Sequence, residues 1–369
     1  MLKRQRHYFL GGNTSKGFYS LYRYILSQDE ARRIICIKGG PGTGKSSLMK
    51  KVGNLFLEKG YTVEYHHCSS DSNSLDGVVI KGLNVALLDA TSPHVVDPIN
   101  PGAVDEILNM GECWREDDFK DSKDLIIDSN KKIGKTFKRA YRFLAAAKDI
   151  YEDWYTFNND ALNMNKINVF KEELKNTIFK KDISKLGYDR HLFATAFTPA
   201  GVISFITNLI EDYENIYILK GPPGTGKTDV LQYLYEEGVR RGYYVEVLHT
   251  PLMPDKIEHV LIPELNTAII TSNEINKLTF DGRIFDMSNF LNSSSIEKNK
   301  DEIEQVKNTF YILLNKALSC IENAKALHDE LEKLYIPNMD FEKVNAVTNE
   351  VINKLLKYEE EYLKENNTK

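Results

Sequence analysis

Short apolar runs bounded by charged residues or glycine alternate with longer amphipathic stretches. Residues 33–38 read Arg-Ile-Ile-Cys-Ile-Lys, a buried strand with polar ends. A glycine-rich loop follows, then a helix over 45–59 that stops at Gly60, a residue suited to end one. A strand over 62–67, a polar loop over 68–76 and a strand over 84–88 come next, and a helix-like lead-in covers 17–28. Strand, helix, strand alternation with buried-looking strands predicts a parallel sheet. Further on, Ile133, Phe137, Ala140, Leu144, Ala147, Tyr151 and Trp154 recur at helical spacing, and a second helix is expected over 165–180. Such stripes read as core contacts.

The pattern then repeats. Gly39-Gly40-Pro41-Gly42-Thr43-Gly44-Lys45-Ser46 returns, 182 residues later, as Gly221-Pro222-Pro223-Gly224-Thr225-Gly226-Lys227-Thr228. The same offset carries His67 onto His249, Asp76 onto Glu258 and Leu83-Asn84 onto Leu265-Asn266. Upstream the offset is 184 (Arg6-His7 onto Arg190-His191), and downstream it is 177 (Ala147-Lys148 onto Ala324-Lys325). Loop insertions produce such small changes, so the duplication covers nearly the whole chain. The second copy carries its own helical stripe from Ile303 to Leu331 and a helix expected over 341–363. The expected fold is α/β: two tandem P-loop NTPase domains, each a parallel sheet with flanking helices and an appended helical hairpin. Domain 1 covers 1–183 with its hairpin at about 120–180, and domain 2 covers 184–369 with its hairpin at about 295–365.

Composition adds exclusions. The chain of 369 residues is 27% charged and 42% apolar, which is globular and not disordered. No apolar run approaches the ~20 residues that span a bilayer. The basic start (Lys3, Arg4, Arg6) is followed by an apolar stretch that Gly11-Gly12 stops, too short for a signal-peptide core. A soluble cytoplasmic protein without membrane partners is expected. Cys36, Cys68, Cys113 and Cys320 form no CxxC pair, which argues against a zinc knuckle. Net charge is −5: residues 1–183 hold 28 Lys+Arg and 24 Asp+Glu (+4), and the remainder holds 20 and 29 (−9). Neither half has the balance of a dedicated nucleic-acid binder.

GxxxxGK[ST] between a strand and a helix is a P-loop pattern. Its glycines let successive N–H groups turn around phosphate oxygens, and the helix N-terminus adds partial positive charge. The binding segments are 39–47 and 221–229, each loop plus the next residue, Ser47 or Asp229. Lys45 and Lys227 would reach the β- and γ-phosphates, while Ser46 and Thr228 would ligate Mg²⁺. A strand-end acid is also needed. Asp89 fits in copy one, but Thr271 stands at that place in copy two. Site one is therefore expected to be catalytic and site two to bind nucleotide with slower or no hydrolysis. A competing pair of acids is Asp97 (after Val95-Val96) and Asp286 (after Ile284-Phe285). Asp89 is preferred because its strand is longer.

Ligands of parallel α/β sheets sit beyond the strand C-termini. The 68–76 loop should face the phosphates, with Asp71 or Asp76 placed to orient water and His66 and His67 as further candidates. Thr91 to His94 would line the same site, and copy two has no matching His. Arg32, Arg33, Arg139, Arg142, Arg240, Arg241 and Arg283 are candidates for transition-state charge. Lys131, Lys135, Lys138 and Arg142 share a helical face that reads as solvated. No complete guanine-reading NKxD motif exists, since Asn165-Lys166-Ile167 is followed by Asn168.

The second glycine loop resembles the Walker A of AAA-type ATPases over a few tens of residues, although Ala90 stands where that group carries a catalytic Glu. Over its full length the chain resembles a family of uncharacterised bacterial proteins with two P-loops. The segments 11–17, 66–71 and 89–98 carry that likeness. It implies an ATP-binding protein, usually described only as an ATPase, and supplies no substrate or macromolecular partner. The expected activity is Mg²⁺-dependent ATP hydrolysis by Lys45, Ser46 and Asp89, with water oriented from Asp71 or Asp76. The alternatives are a phosphotransferase acting on a small molecule and a nucleotide-gated scaffold. An intramolecular pseudo-dimer of the two P-loop domains is compatible with the repeat.

Overall fold

The computed structural model describes residues 4–183 and 185–367. Lys3 and Ser184, at the basic start and the repeat boundary, lie outside them. The chain runs β1 (Gln5–Phe9), β2 (Gly11–Thr14), β3 (Gly17–Ser20), β4 (Arg33–Lys38), α1 (Lys45–Glu58), β5 (Val63–Cys68), β6 (Asp71–Ile80), β7 (Val85–Asp89), β8 (Asp105–Asn109), α2 (Lys123–Asp160) and α3 (Met164–Ile178). It continues with β9 (Tyr188–Leu192), β10 (Thr195–Thr198), β11 (Gly201–Ser204), α4 (Ile206–Ile210), β12 (Asn215–Lys220), α5 (Lys227–Arg240), β13 (Tyr244–His249) and β14 (Ile257–Ile262). The last elements are β15 (Thr267–Ser272), β16 (Arg283–Asp286), α6 (Ser293–Lys298), α7 (Lys300–Tyr335) and α8 (Phe341–Asn367). No helix among the described residues is long and apolar enough to cross a membrane.

The fold is α/β, with two six-stranded mixed sheets flanked by helices. One sheet has the order β1-β5-β6-β7-β4-β8, and the other has β9-β13-β14-β15-β12-β16. The orders are equivalent strand for strand under the repeat offsets. The alternation predicts a parallel sheet, but both sheets are mixed. β6 and β14 each run antiparallel to both neighbours. The expected polar loop over 68–76 is therefore mostly strand. Two residues, Ser69 and Ser70, join β5 to β6, and a connection that short forces an antiparallel return. The expected helix over 17–28 is instead β3 followed by a single 3₁₀ turn at Tyr22–Tyr24.

The chain divides into two compact units, which are drawn differently from the sequential halves 1–183 and 184–369. The first unit takes residues 4–11, 20–137 and 322–367; the second takes 12–19 and 138–321. α2 and α7 are 38 and 36 residues long, and each is divided between the two units. α2 passes out of the first unit after Phe137, and α7 passes out of the second after Ile321. As a result the sheet of copy one is covered by α8, the last helix of copy two. Val351 and Leu355 pack with Val52, Phe56, Val85 and Leu87. The sheet of copy two is covered by α3 of copy one, through Ile167, Phe170 and Leu174 against Val230, Leu234 and Ile262. Arg32 and Arg33 serve this packing in the first unit. Arg32 donates to the Tyr358 carbonyl (3.0 Å) and pairs with Glu361, and Arg33 donates to the Tyr358 hydroxyl (3.3 Å).

Candidate functional site

In the first unit the glycine-rich loop joins the buried strand β4 to α1. Gly42 and Gly44 both have positive φ (68° and 85°), which turns the backbone sharply before the helix. The Thr43 hydroxyl donates to the Gly40 carbonyl (2.9 Å) and keeps the loop tight. Lys45 Nζ donates to the carbonyls of Gly39 (2.6 Å) and Gly40 (2.8 Å) and lies 3.5 Å from the Asp89 carboxylate. Thr91 ties the end of β7 to the loop. Its hydroxyl donates to the Gly39 carbonyl (2.8 Å) and accepts from the Gly39 N–H (3.1 Å), while its own N–H donates to Asp89 (2.9 Å). Ser46 Oγ accepts from the Leu75 N–H (3.0 Å), which leaves a lone pair for a further bond. Pro41 is half-buried and Ser47 is exposed on α1.

The second loop has the same frame with a different charge pattern. Lys227 Nζ donates to the carbonyls of Gly221 (2.6 Å) and Pro222 (2.5 Å) and to Thr225 Oγ1 (3.1 Å). Burial pushes this ammonium down to about 7, with Glu274 opposing the shift. Thr271 pairs with Leu219 in the ladder, the place where Asp89 pairs with Ile37 in the first sheet. The substitution of the acid by threonine is thus a structural equivalence. Thr228 is half-buried and Asp229 is exposed.

The competing acids fall away from this frame. Asp97 lies outside any strand, is 74% exposed and pairs with Lys38 Nζ at 3.2 Å. Asp286 ends β16 opposite Lys220, and the matching residue opposite Lys38 is Asn109. Asp286 and Asn109 each accept from the N–H two residues on, at 3.0 Å. Asp97 and Asp286 are therefore not equivalent, and Asp286 caps a turn.

Asp71 and Asp76 separate as well. Asp71 accepts from Asn73 N (3.2 Å) and Ser74 Oγ (2.9 Å) and lies 3.5 Å from Lys325 Nζ, so its carboxylate holds its own turn. Asp76 is buried in β6. The ladder pair Gly77↔Leu88 puts Asp76 one step further on, opposite Asp89. The Tyr22 hydroxyl donates to Asp76 (2.6 Å), and His94 Nε2 lies 3.9 Å from it. Burial holds the Asp76 carboxyl above its ordinary value; His94 opposes that shift and Asp89 adds to it. Tyr22 is a residue that sequence reasoning missed, because it lies 54 positions from Asp76 in an unpatterned turn.

A second missed feature is a pair of histidines. His7 Nδ1 lies 2.8 Å from His67 Nε2, and His191 Nδ1 lies 2.8 Å from His249 Nε2. The repeat matched all four residues but did not show that they meet. Burial lowers His67, and burial together with His191 lowers His249 to about 4. His66 is fully buried, 3.5 Å from Glu64, and faces away from the role considered for it. Arg240 and Arg241 pair with Glu237, and Arg283 and Arg139 lie over Phe285 and Phe143.

Hairpin turns roof both loops. A Cβ on Gly42 would meet Ile336 at 2.8 Å. In the second unit Asn158 Nδ2 donates to the Pro223 carbonyl (2.6 Å), and a Cβ on Gly224 would fall 2.2 Å from the Tyr155 carbonyl oxygen. Gly224 also has φ +76°. Gly224→Ala is therefore expected to destabilise the protein by at least about 2 kcal/mol, combining left-handed strain with displacement of a helix backbone. Gly201→Ala is the control, since its φ is similar (+97°) but no atom lies within 4 Å of the new Cβ. Thermal melts should rank the Gly224 variant clearly below it; equal melting temperatures would refute the close approach.

No family model matches the chain, and no curated protein or solved structure matches it.

Proposed function

We propose that the chain is a tandem P-loop protein that binds ATP at both glycine-rich loops and hydrolyses it at the first. The observation that supports this reading best is the convergence of Lys45, Ser46 and Asp89 at the C-terminal edge of the first sheet, against the loss of the acid at Thr271 in the second. The loop N–H groups and Lys45 would hold the phosphates, and Ser46 with Asp89 would hold Mg²⁺. Magnesium would neutralise charge that develops on the phosphate oxygens. The Ser46 lone pair and the half-buried Asp89 suit that task. Of the two loop acids, Asp71 is committed to its own turn and Asp76 lies opposite Asp89. Adenine is favoured by the family resemblance and by the incomplete NKxD segment.

Phosphate release from ATP with Mg²⁺, without an added acceptor, is the expected result on purified protein. Turnover only after addition of a metabolite would replace the reading with a phosphotransferase. Tight nucleotide binding with no turnover would replace it with a nucleotide-gated scaffold.

The low value at Lys227 carries its own prediction. At pH 8 an ammonium titrating near 7 is mostly neutral, and an arriving phosphate restores its proton. Nucleotide binding to the Lys45→Ala chain should therefore take up a large fraction of a proton. Calorimetry in two buffers of different ionisation enthalpy reads this directly. Identical heats in both buffers would refute it.

A further inference from the structure

We propose that Cys68, Asp76 and His94 form a buried binding site for a zinc-class divalent cation, present in the first unit and lost in the second. The proposal stands on the donor set and does not depend on nucleotide. Cys68 ends β5, Asp76 lies in the neighbouring β6, and His94 follows β7. Their ligand atoms all lie within 4.8 Å of one another. The three residues are 7%, 3% and 8% exposed.

A four-coordinate zinc with ordinary bond lengths holds its ligand atoms about 3.3 to 3.8 Å apart. The His94–Asp76 separation of 3.9 Å is already close to that range. The surroundings also suit a bound ion. The Tyr22 hydroxyl bonds Asp76, and its ring stacks on His94 at 5.1 Å with 17° between the planes. Outer partners of this kind fix ligand orientation. A divalent ion with one thiolate, one carboxylate and one neutral imidazole forms an electrically neutral cluster, which a buried site tolerates far better than a lone carboxylate. Sulfur with imidazole selects a zinc-like ion over Mg²⁺ or Ca²⁺.

The second unit supplies an internal comparison. At the repeat offset of 182, Thr250 replaces Cys68, Asn276 replaces His94 and Glu258 replaces Asp76. There the acid is met by amides, Asn273 Nδ2 at 3.1 Å and Asn276 Nδ2 at 3.0 Å. One copy thus surrounds its acid with metal ligands, and the other surrounds it with neutral hydrogen-bond donors.

The test uses the full chain, stripped with a chelator and titrated with Co²⁺, then with Zn²⁺ against a chromophoric chelator. A single equivalent of Co²⁺ is expected to give thiolate-to-cobalt charge transfer and the intense visible bands of a four-coordinate site, both displaced by Zn²⁺. Cys68→Thr should abolish the charge transfer, and His94→Asn should weaken binding by at least about tenfold. Both import residues that the second unit already accommodates, and circular dichroism checks their folding. His328→Ala should leave the band intact, because the half-exposed group His328, Asp329 and Glu332 has no sulfur. Absence of a thiolate–cobalt band in the native chain, or its persistence in Cys68→Thr, would overturn the proposal.

Discussion

Lys45→Ala is expected to lower phosphate release from ATP by at least about a hundredfold, while Lys227→Ala leaves most of it in place. The ammonium of Lys45 is held between the loop carbonyls and Asp89, at 3.5 Å from that carboxylate. Removing a group that stabilises charge on a transferring phosphoryl costs about 10² to 10³ in rate, or roughly 3 to 4 kcal/mol at the barrier. Asp89→Asn keeps the shape and the bond from the Thr91 N–H but removes the negative charge that organises magnesium. Its effect should be of the same order as that of Lys45→Ala. At the second loop Thr271 occupies the acid's place in the ladder, so loss of Lys227 removes binding and little turnover. Steady-state phosphate release per chain, at saturating ATP and Mg²⁺, separates these cases. If Lys45→Ala retains turnover and Lys227→Ala abolishes it, the two sites have been assigned the wrong way round.

Much of this frame was legible because it rests on local chemistry. The bounds of β4 are legible to the residue, since Ile34 to Ile37 are apolar without a break and the structure buries all four. α1 begins at Lys45 as expected, and Gly60 has φ +92° just beyond its end. The Asp89/Thr271 difference needed only the repeat offset. β6 was hidden because Asp71, Asn73, Asp76 and Gly77 punctuate it like a loop. Their polar atoms are satisfied by specific partners such as Tyr22 and Ser74, which a periodicity argument does not contain. The exchange of α3 and α8 between the repeat copies was hidden for a different reason. An apolar stripe records that a helix face is covered, and the stripe is identical whichever sheet covers it. The connecting length gives little guidance either, since loop-closure cost grows only slowly with separation.

Glu258→Gln is expected to stabilise the protein, and to do so increasingly as pH rises. Glu258 is 2% exposed, and burial raises its carboxyl to about 7 against the bonds from Asn273, Thr195 and Asn276, which pull it down. In the unfolded chain the same group titrates near 4.5. Between these values the folded state holds a proton that the unfolded state has released, so stability falls as pH rises from about 4.5 to about 7. Above 7 the cost is complete, and 2.5 units correspond to roughly 3 kcal/mol. Glutamine keeps an oxygen for the two asparagine amides and carries no charge. Two histidines of the same unit, His249 and His259, act in the opposite sense. Burial lowers His249 to about 4 and His259 to about 3, so their contribution is lost as pH falls below about 6.5. Those contributions are common to both chains and cancel in the difference between variant and native protein. Urea unfolding at pH 4.5 and pH 8 should show a small difference at the lower pH and a large one at the higher. An equal difference at both, or destabilisation at pH 8, would mean that Glu258 is not a strained buried acid.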